Sequence, residues 1–210
     1  MLEVSGLAAV RGERLLFSGL RFSVSPGDLL QVVGRNGSGK TTLLRILARL
    51  VRPESGDIRW RGAAIDELGD PYFADLLYLG HAPAIKDELT AEENLRYATA
   101  IAGTPAAAST VRAALAEAGL AGRETLPGRA LSQGQRRRVA LARLALGGRA
   151  LWVLDEPLAA LDSESADRLR GWLGTHLDAG GCAVVATHAP LAGHGLPLAR
   201  VRTLELGLGR

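Results

Sequence analysis

Two lysines stand in a chain that carries 23 arginines, and one of them, Lys40, sits inside the run Gly34-Arg35-Asn36-Gly37-Ser38-Gly39-Lys40-Thr41. The spacing G-x-x-x-x-G-K-[ST] is that of a loop that cradles phosphates. Its glycines let backbone N–H groups turn inward around phosphate oxygens, and a helix starting near Lys40 adds its positive dipole end. Lys40 would neutralise charge on the β- and γ-phosphates of a nucleotide, and the Thr41 hydroxyl would bind Mg²⁺. Arg35, Asn36, Gly37, Ser38 and Thr42 complete the expected nucleotide contacts. A second constellation lies downstream, where the apolar run Leu151-Trp152-Val153-Leu154 ends in Asp155-Glu156. At a strand end Asp155 can reach the Mg²⁺ ion, directly or through water, and Glu156 can polarise an attacking water as a general base. The carboxylate signal alone is weak, because acidic strand ends are common, whereas chance matches to the loop rarely fall between a strand and a helix. A strand before the loop, a helix after it and a carboxylate strand downstream make nucleotide binding the expectation.

Short apolar runs alternate with longer helical segments, so the chain is expected to be an α/β protein with a mostly parallel sheet. Leu2 to Val10 and Arg14 to Val24 form an expected antiparallel pair around the turn Arg11-Gly12-Glu13. Leu29 to Val33 is the strand that feeds the phosphate loop. Helical spacing of Leu43, Leu44, Leu47 and Leu50 predicts a helix over 41–50, stopped by Pro53-Glu54-Ser55-Gly56-Asp57. Ile58 to Trp60 and Leu76 to Leu79 are further short strands. From about Thr90 to Ala130 the chain is rich in Ala, Leu and Glu with no β-run. Thr90 and Glu93 match a capping box, and Pro105 predicts the next helix start. This region, about 82–145, is expected to be a helical lobe inserted into the α/β core. Leu151–Leu154 and Ala183–Thr187 are strands flanking a helix over 163–178, and 200–206 is an expected edge strand.

Leu131-Ser132-Gln133-Gly134-Gln135 lies ahead of the carboxylate strand and precedes a basic helical stretch. Ser132 is a natural helix N-cap. This segment resembles the LSGGQ signature of ABC-type ATPases, with Gln133 at its third position. Phosphate loop, signature and carboxylate strand stand in that family's order. The resemblance implies a P-loop NTPase fold with a RecA-like core, a small N-terminal antiparallel β-subdomain and an inserted α-helical subdomain, all in one domain spanning 1–210. It further implies that Ala159-Ala160-Leu161-Asp162 is the loop after the catalytic Glu156, with Asp162 near nucleotide, and that His188 is a switch histidine contacting the γ-phosphate. His81 occupies the position where the family carries a glutamine. Val10 and Arg11 stand where the family carries an adenine-stacking aromatic, so stacking is expected to be weaker.

In this family two domains stack head to tail with two ATPs between them. Ser132, Gly134 and Gln135 would then serve the ATP of a second copy, using a helix N-terminus. Strings such as 11–20, Leu79-Gly80-His81-Ala82-Pro83-Ala84-Ile85-Lys86 and 151–157 resemble the ATP-binding subunits of bacterial haem exporters for cytochrome c maturation. That likeness implies a peripheral subunit on the cytoplasmic face of the inner membrane, paired with integral membrane subunits. Residues from about His81 to Asn94 would face them. Another ABC exporter ATPase, or a non-transport ABC protein on nucleic acid, stays open at this point.

Composition bounds these readings. The chain has 210 residues, 22% charged and 47% hydrophobic, with a net charge of +3, which excludes collagen-like, disordered and disulfide-scaffold classes. The lone Cys182 sits in an apolar run and suggests a buried hydrophobe in a reducing compartment. No signal peptide and no bilayer-spanning stretch is expected, so a partner chain would supply membrane contact. The run Arg136-Arg137-Arg138 suggests a solvated face and is the main support for a nucleic-acid partner, which is not expected. No Cys-x-x-Cys-His occurs, and His176, His188 and His194 are scattered.

Overall fold

The computed structural model describes residues 1–189, 191 and 196–207; His194 lies outside them. Nine strands form two sheets among these residues. β1 (Leu2–Arg11), β2 (Arg14–Val24), β4 (Ser55–Trp60) and β5 (Ala63–Ala64) make an antiparallel sheet in the order β2-β1-β4-β5. β3 (Leu29–Val33), β6 (Leu76–Leu79), β7 (Leu151–Asp155), β8 (Cys182–Ala186) and β9 (Val201–Glu205) make a parallel sheet in the order β6-β7-β8-β3-β9.

Every residue of β7 and β8 is buried, as a parallel strand covered on both faces requires. Side chains alternate between two cores. Leu151, Val153, Cys182 and Val184 point into one core, which also holds Leu43, Leu44 and Leu47 of α1 (Lys40–Leu47) and residues of the antiparallel sheet. Trp152, Leu154, Ala183 and Val185 point into the other, against α6 (Gln133–Ala145) and α7 (Ser163–Asp178). A third core joins α4 (Ala91–Ile101), α5 (Ala108–Glu117) and α6 through Leu95, Val111, Leu115 and Val139.

Several expected boundaries move. α1 ends at Leu47 rather than Leu50: the buried Tyr72 hydroxyl donates to the Leu47 carbonyl at 2.6 Å, and Arg49 takes φ of 56°. α5 begins at Ala108, three residues after Pro105. β4 starts at Ser55, inside the expected turn. The segment β5, α2 (Ile65–Leu68) and α3 (Asp70–Asp75) has no counterpart among the expected elements. The Thr90 capping box forms as expected, with Glu93 N–H donating to Thr90 Oγ1 at 3.2 Å and Thr90 N–H donating to Glu93 Oε2 at 2.8 Å. Cys182 is buried, and burial pushes its thiol pKa up to about 11, so it is unreactive at neutral pH.

Candidate active site

The sheet order decides which residues meet. β6, β7, β8 and β3 run parallel side by side, so the loops leaving their carboxyl ends open on one crevice. Those loops carry His81, Asp155-Glu156, His188 and the phosphate loop. Arg11, Leu16, Asn36, Lys40, Thr41, Thr42, His81, Asp155 and Glu156 line a single cleft of about 340 Å³.

The loop's glycines are demanded by geometry. Gly34 has φ of 150°, and a Cβ there would lie 2.5 Å from the Leu206 carbonyl oxygen. Gly39 has φ of 101° and stands at the N-terminal cap of α1. With no side chain capping that helix, its first N–H groups are free to face an anion. Lys40 is buried, and its Nζ donates to the Gly34 carbonyl at 2.8 Å and lies 3.2 Å from His188 Nε2. The ammonium thus closes the loop into a ring at the mouth of the cleft.

His188 sits at the centre of this group. Its Nε2 is 3.2 Å from Asn36 Oδ1 and 3.6 Å from Glu156 Oε1. Two oxygens are left orphaned here: Ser38 Oγ and Asp155 Oδ2 are buried without a partner. An unsatisfied buried polar atom costs about 1–3 kcal/mol, and such atoms commonly mark where an ion or ligand belongs. Asp155 shares the cleft with the Thr41 hydroxyl, and the two are oxygen ligands of the kind Mg²⁺ takes alongside phosphate oxygens. Among the described residues no group of three or more His, Cys, Asp or Glu could form a metal cage without phosphate.

A second cleft of about 410 Å³ adjoins the first, sharing Arg11, Thr41 and Thr42 and adding Val10, Arg45 and Val51. Val10 and Arg11 are exposed at its wall, and no aromatic ring lines it. The space beside the phosphate loop is therefore faced by aliphatic and guanidinium groups.

Ser132, Gly134, Gln135 and Asp162 stand apart from this cleft, at the starts of α6 and α7. Ser132 caps α6: its Oγ accepts from Gln135 N–H at 3.2 Å, and Gln135 Oε1 accepts from Ser132 N–H at 2.9 Å. Asp162 caps α7 by accepting from Ser165 N–H at 2.8 Å, and Ser165, through its side chain and then this N–H, holds the carboxyl below the usual range. Ser132 and Asp162 are exposed, while Gly134 and Gln135 are half-buried.

One contributor runs against expectation. Arg137, expected on a solvated face, is only 4% exposed. Its Nη1 donates to the carbonyls of Gly80 and His81, both at 3.0 Å, and its Nη2 to those of Asp155 at 3.0 Å and Glu156 at 2.7 Å. Burial pulls its pKa down, opposed by the carboxylates of Asp155 and Glu156. The signal was in the sequence: Arg137 falls on the same helical stripe as Leu141 and Leu144. Its neighbours are occupied too. Arg136 pairs with Asp87, and Arg138 donates to the Gly119 carbonyl at 3.3 Å. The run is thus no continuous basic patch.

The family model for the ABC transporter matches residues 17–159. The chain belongs to the ABC transporter family. It is an ATPase cassette of that family, with ATP as its ligand. Among curated relatives, the cytochrome c biogenesis ATP-binding export protein CcmA of Dechloromonas aromatica is 51% identical over 207 residues, covering 99% of this chain and all of that protein. The protein of the same name from Cupriavidus pinatubonensis is 54% identical, covering 93% of this chain and 86% of that protein. Among solved structures, an ABC transporter ATP-binding protein from Pyrococcus furiosus superposes with a TM-score of 0.81 at 22% identity, covering 98% of this chain and 96% of that one. A bacterial ABC transporter cassette solved as a dimer gives 0.81 at 23% identity, covering all of this chain and 97% of that one. These structural likenesses bear out the expected cassette fold, with its parallel core and N-terminal antiparallel sheet. Among the described residues of the cassette, no helix is long and apolar enough to cross a membrane.

Proposed function

We propose that the chain is the ATP-hydrolysing subunit of an exporter serving c-type cytochrome biogenesis, with haem delivery as the process it drives. The convergence of Lys40, Asp155, Glu156 and His188 on one cleft carries the hydrolytic reading. The half-identity to full-length cytochrome c biogenesis export proteins carries the export reading.

Lys40 and the loop N–H groups of Gly37 and Gly39 bind the triphosphate, with Arg35, Asn36, Ser38 and Thr42 around it. Thr41 and Asp155 would hold Mg²⁺, whose charge would offset that of the β- and γ-phosphates. Glu156 accepts the proton of the attacking water. His188, held between Lys40 and Glu156, contacts the γ-phosphate. Ser132, Gly134, Gln135 and Asp162 serve the nucleotide of a second copy, so each hydrolytic site is completed across a dimer interface. ATP closes the dimer and hydrolysis opens it. The segment from His81 to Asn94 passes the change to integral membrane subunits, and the chain sits on the cytoplasmic face of the inner membrane through them.

Affinity purification from native bacterial membranes tests this directly. Integral proteins with several spans should co-elute, and the complex should show haem-responsive ATPase activity. Recovery of the chain without any integral protein would overturn the export reading. Crosslinks from Lys86 or Asp87 should reach a membrane subunit.

A further inference from the structure

Glu156 is held in an uncommon backbone state. Its φ is 46°, in the left-handed region, and it is followed by Pro157. A non-glycine residue is strained there unless its surroundings hold it. Two bonds do so. The Glu156 N–H donates to the Ala186 carbonyl at 2.8 Å, and the Glu156 carbonyl accepts from Arg137 at 2.7 Å. The first bond ties the carboxylate to β8, the strand that leads to His188. The second ties it to α6, the helix whose exposed start carries Ser132.

We propose that Arg137 is a positioning residue for hydrolysis: its guanidinium fixes the Glu156 backbone and locks it to the His81 loop. Its four carbonyl acceptors come from two segments only, Gly80-His81 after β6 and Asp155-Glu156 at the end of β7. A planar fork with five donors can span both; a lysine ammonium, with three donors on one atom, cannot. Movement of α6 when its start meets a second copy is thereby carried to the carboxylate and to His81 together. Arg136, one residue before, grips the same connecting segment through the Ile85 carbonyl and Asp87. The helix that faces the partner's nucleotide thus holds its own subunit's water-activating group in register.

This inference rests on Glu156 being the general base, and the test separates the two. In the full chain, Arg137→Lys, with Arg137→Met beside it, is compared with Glu156→Gln for ATP affinity, ATP-dependent dimer formation and turnover at saturating ATP. Arg137→Lys should keep ATP affinity within threefold and form the ATP dimer, while kcat falls at least tenfold with KM little changed. A merely structural lesion would weaken dimer and affinity as well. Wild-type kcat in Arg137→Lys, with Glu156→Gln inactive, overturns the positioning role alone. A loss confined to KM overturns it equally. Normal turnover in Glu156→Gln overturns the general-base reading beneath it. Should Arg137→Met fail to fold, Arg137→Lys decides.

Discussion

At the scale of single residues, Lys40 is a tightly held charge in the cleft. It is buried, bonded to the Gly34 carbonyl and within reach of His188. Removing a charged hydrogen-bond partner of a bound anion costs about 1.5–3 kcal/mol, or roughly 10- to 150-fold in affinity. Lys40→Ala should therefore lose ATP binding by that factor in a fluorescent-nucleotide titration; unchanged affinity would remove it from the phosphate site. His81 is a different case. It lines the cleft, yet its structural tie is through its backbone carbonyl to Arg137, which a side-chain change leaves in place. His81→Gln should leave ATP affinity intact in the same titration, and loss of binding would give its imidazole a role in holding nucleotide.

Among the elements, α7 makes a titratable packing contact with β7, next to its bond to β8. The His176 ring stacks on Trp152 with centroids 3.9 Å apart, and burial holds its pKa below the usual histidine value despite its bond to the Cys182 carbonyl. A depressed folded-state pKa means the unfolded chain takes up the proton first. The contact's full contribution to stability is present above about pH 6.5 and is lost as pH falls below it. The thermal midpoint should drop between pH 7.5 and 5.5, and His176→Phe should flatten that slope. An identical slope in the variant would place the acid sensitivity elsewhere. These same elements show what a sequence makes visible. β7 and β8 are legible as unbroken apolar runs because both faces of the sheet are covered. The phosphate loop is legible because Gly34, Gly39, Lys40 and Thr41 are fixed by local backbone chemistry. The order β6-β7-β8-β3-β9 is not, since no local residue records which strands become neighbours; that order is what unites His81, Glu156 and His188. Arg137 is legible only in part: its helical stripe marks it as inward-facing, but its partners are not marked. Two segments, one 57 and one 18 positions away in sequence, supply its acceptors. The segment from Ala63 to Asp75 consists of elements of two to six residues, too short to show a period.

At the scale of the whole molecule, one chain carries a phosphate cleft and, separately, an exposed helix start at Ser132 that its own cleft does not use. Two copies stacked head to tail would bring each start to the other's cleft. Hydrolysis per chain should accordingly rise with protein concentration and then saturate as the dimer fills. A specific activity that is flat at concentrations where light scattering shows only monomer would contradict a shared site. Two arginines of the basic run are engaged within the chain, Arg137 at Gly80 and Glu156 and Arg138 at Gly119.

The most direct measurement is light scattering of Glu156→Gln with and without ATP, alongside its hydrolysis rate. The variant should bind ATP, accumulate as a dimer holding two nucleotides, and turn over at least about a hundredfold more slowly than the parent chain, as expected when a general base is lost. A variant that hydrolyses ATP at the parent rate, or that binds ATP and stays monomeric, would contradict a hydrolytic site built from Glu156 and closed by a second copy.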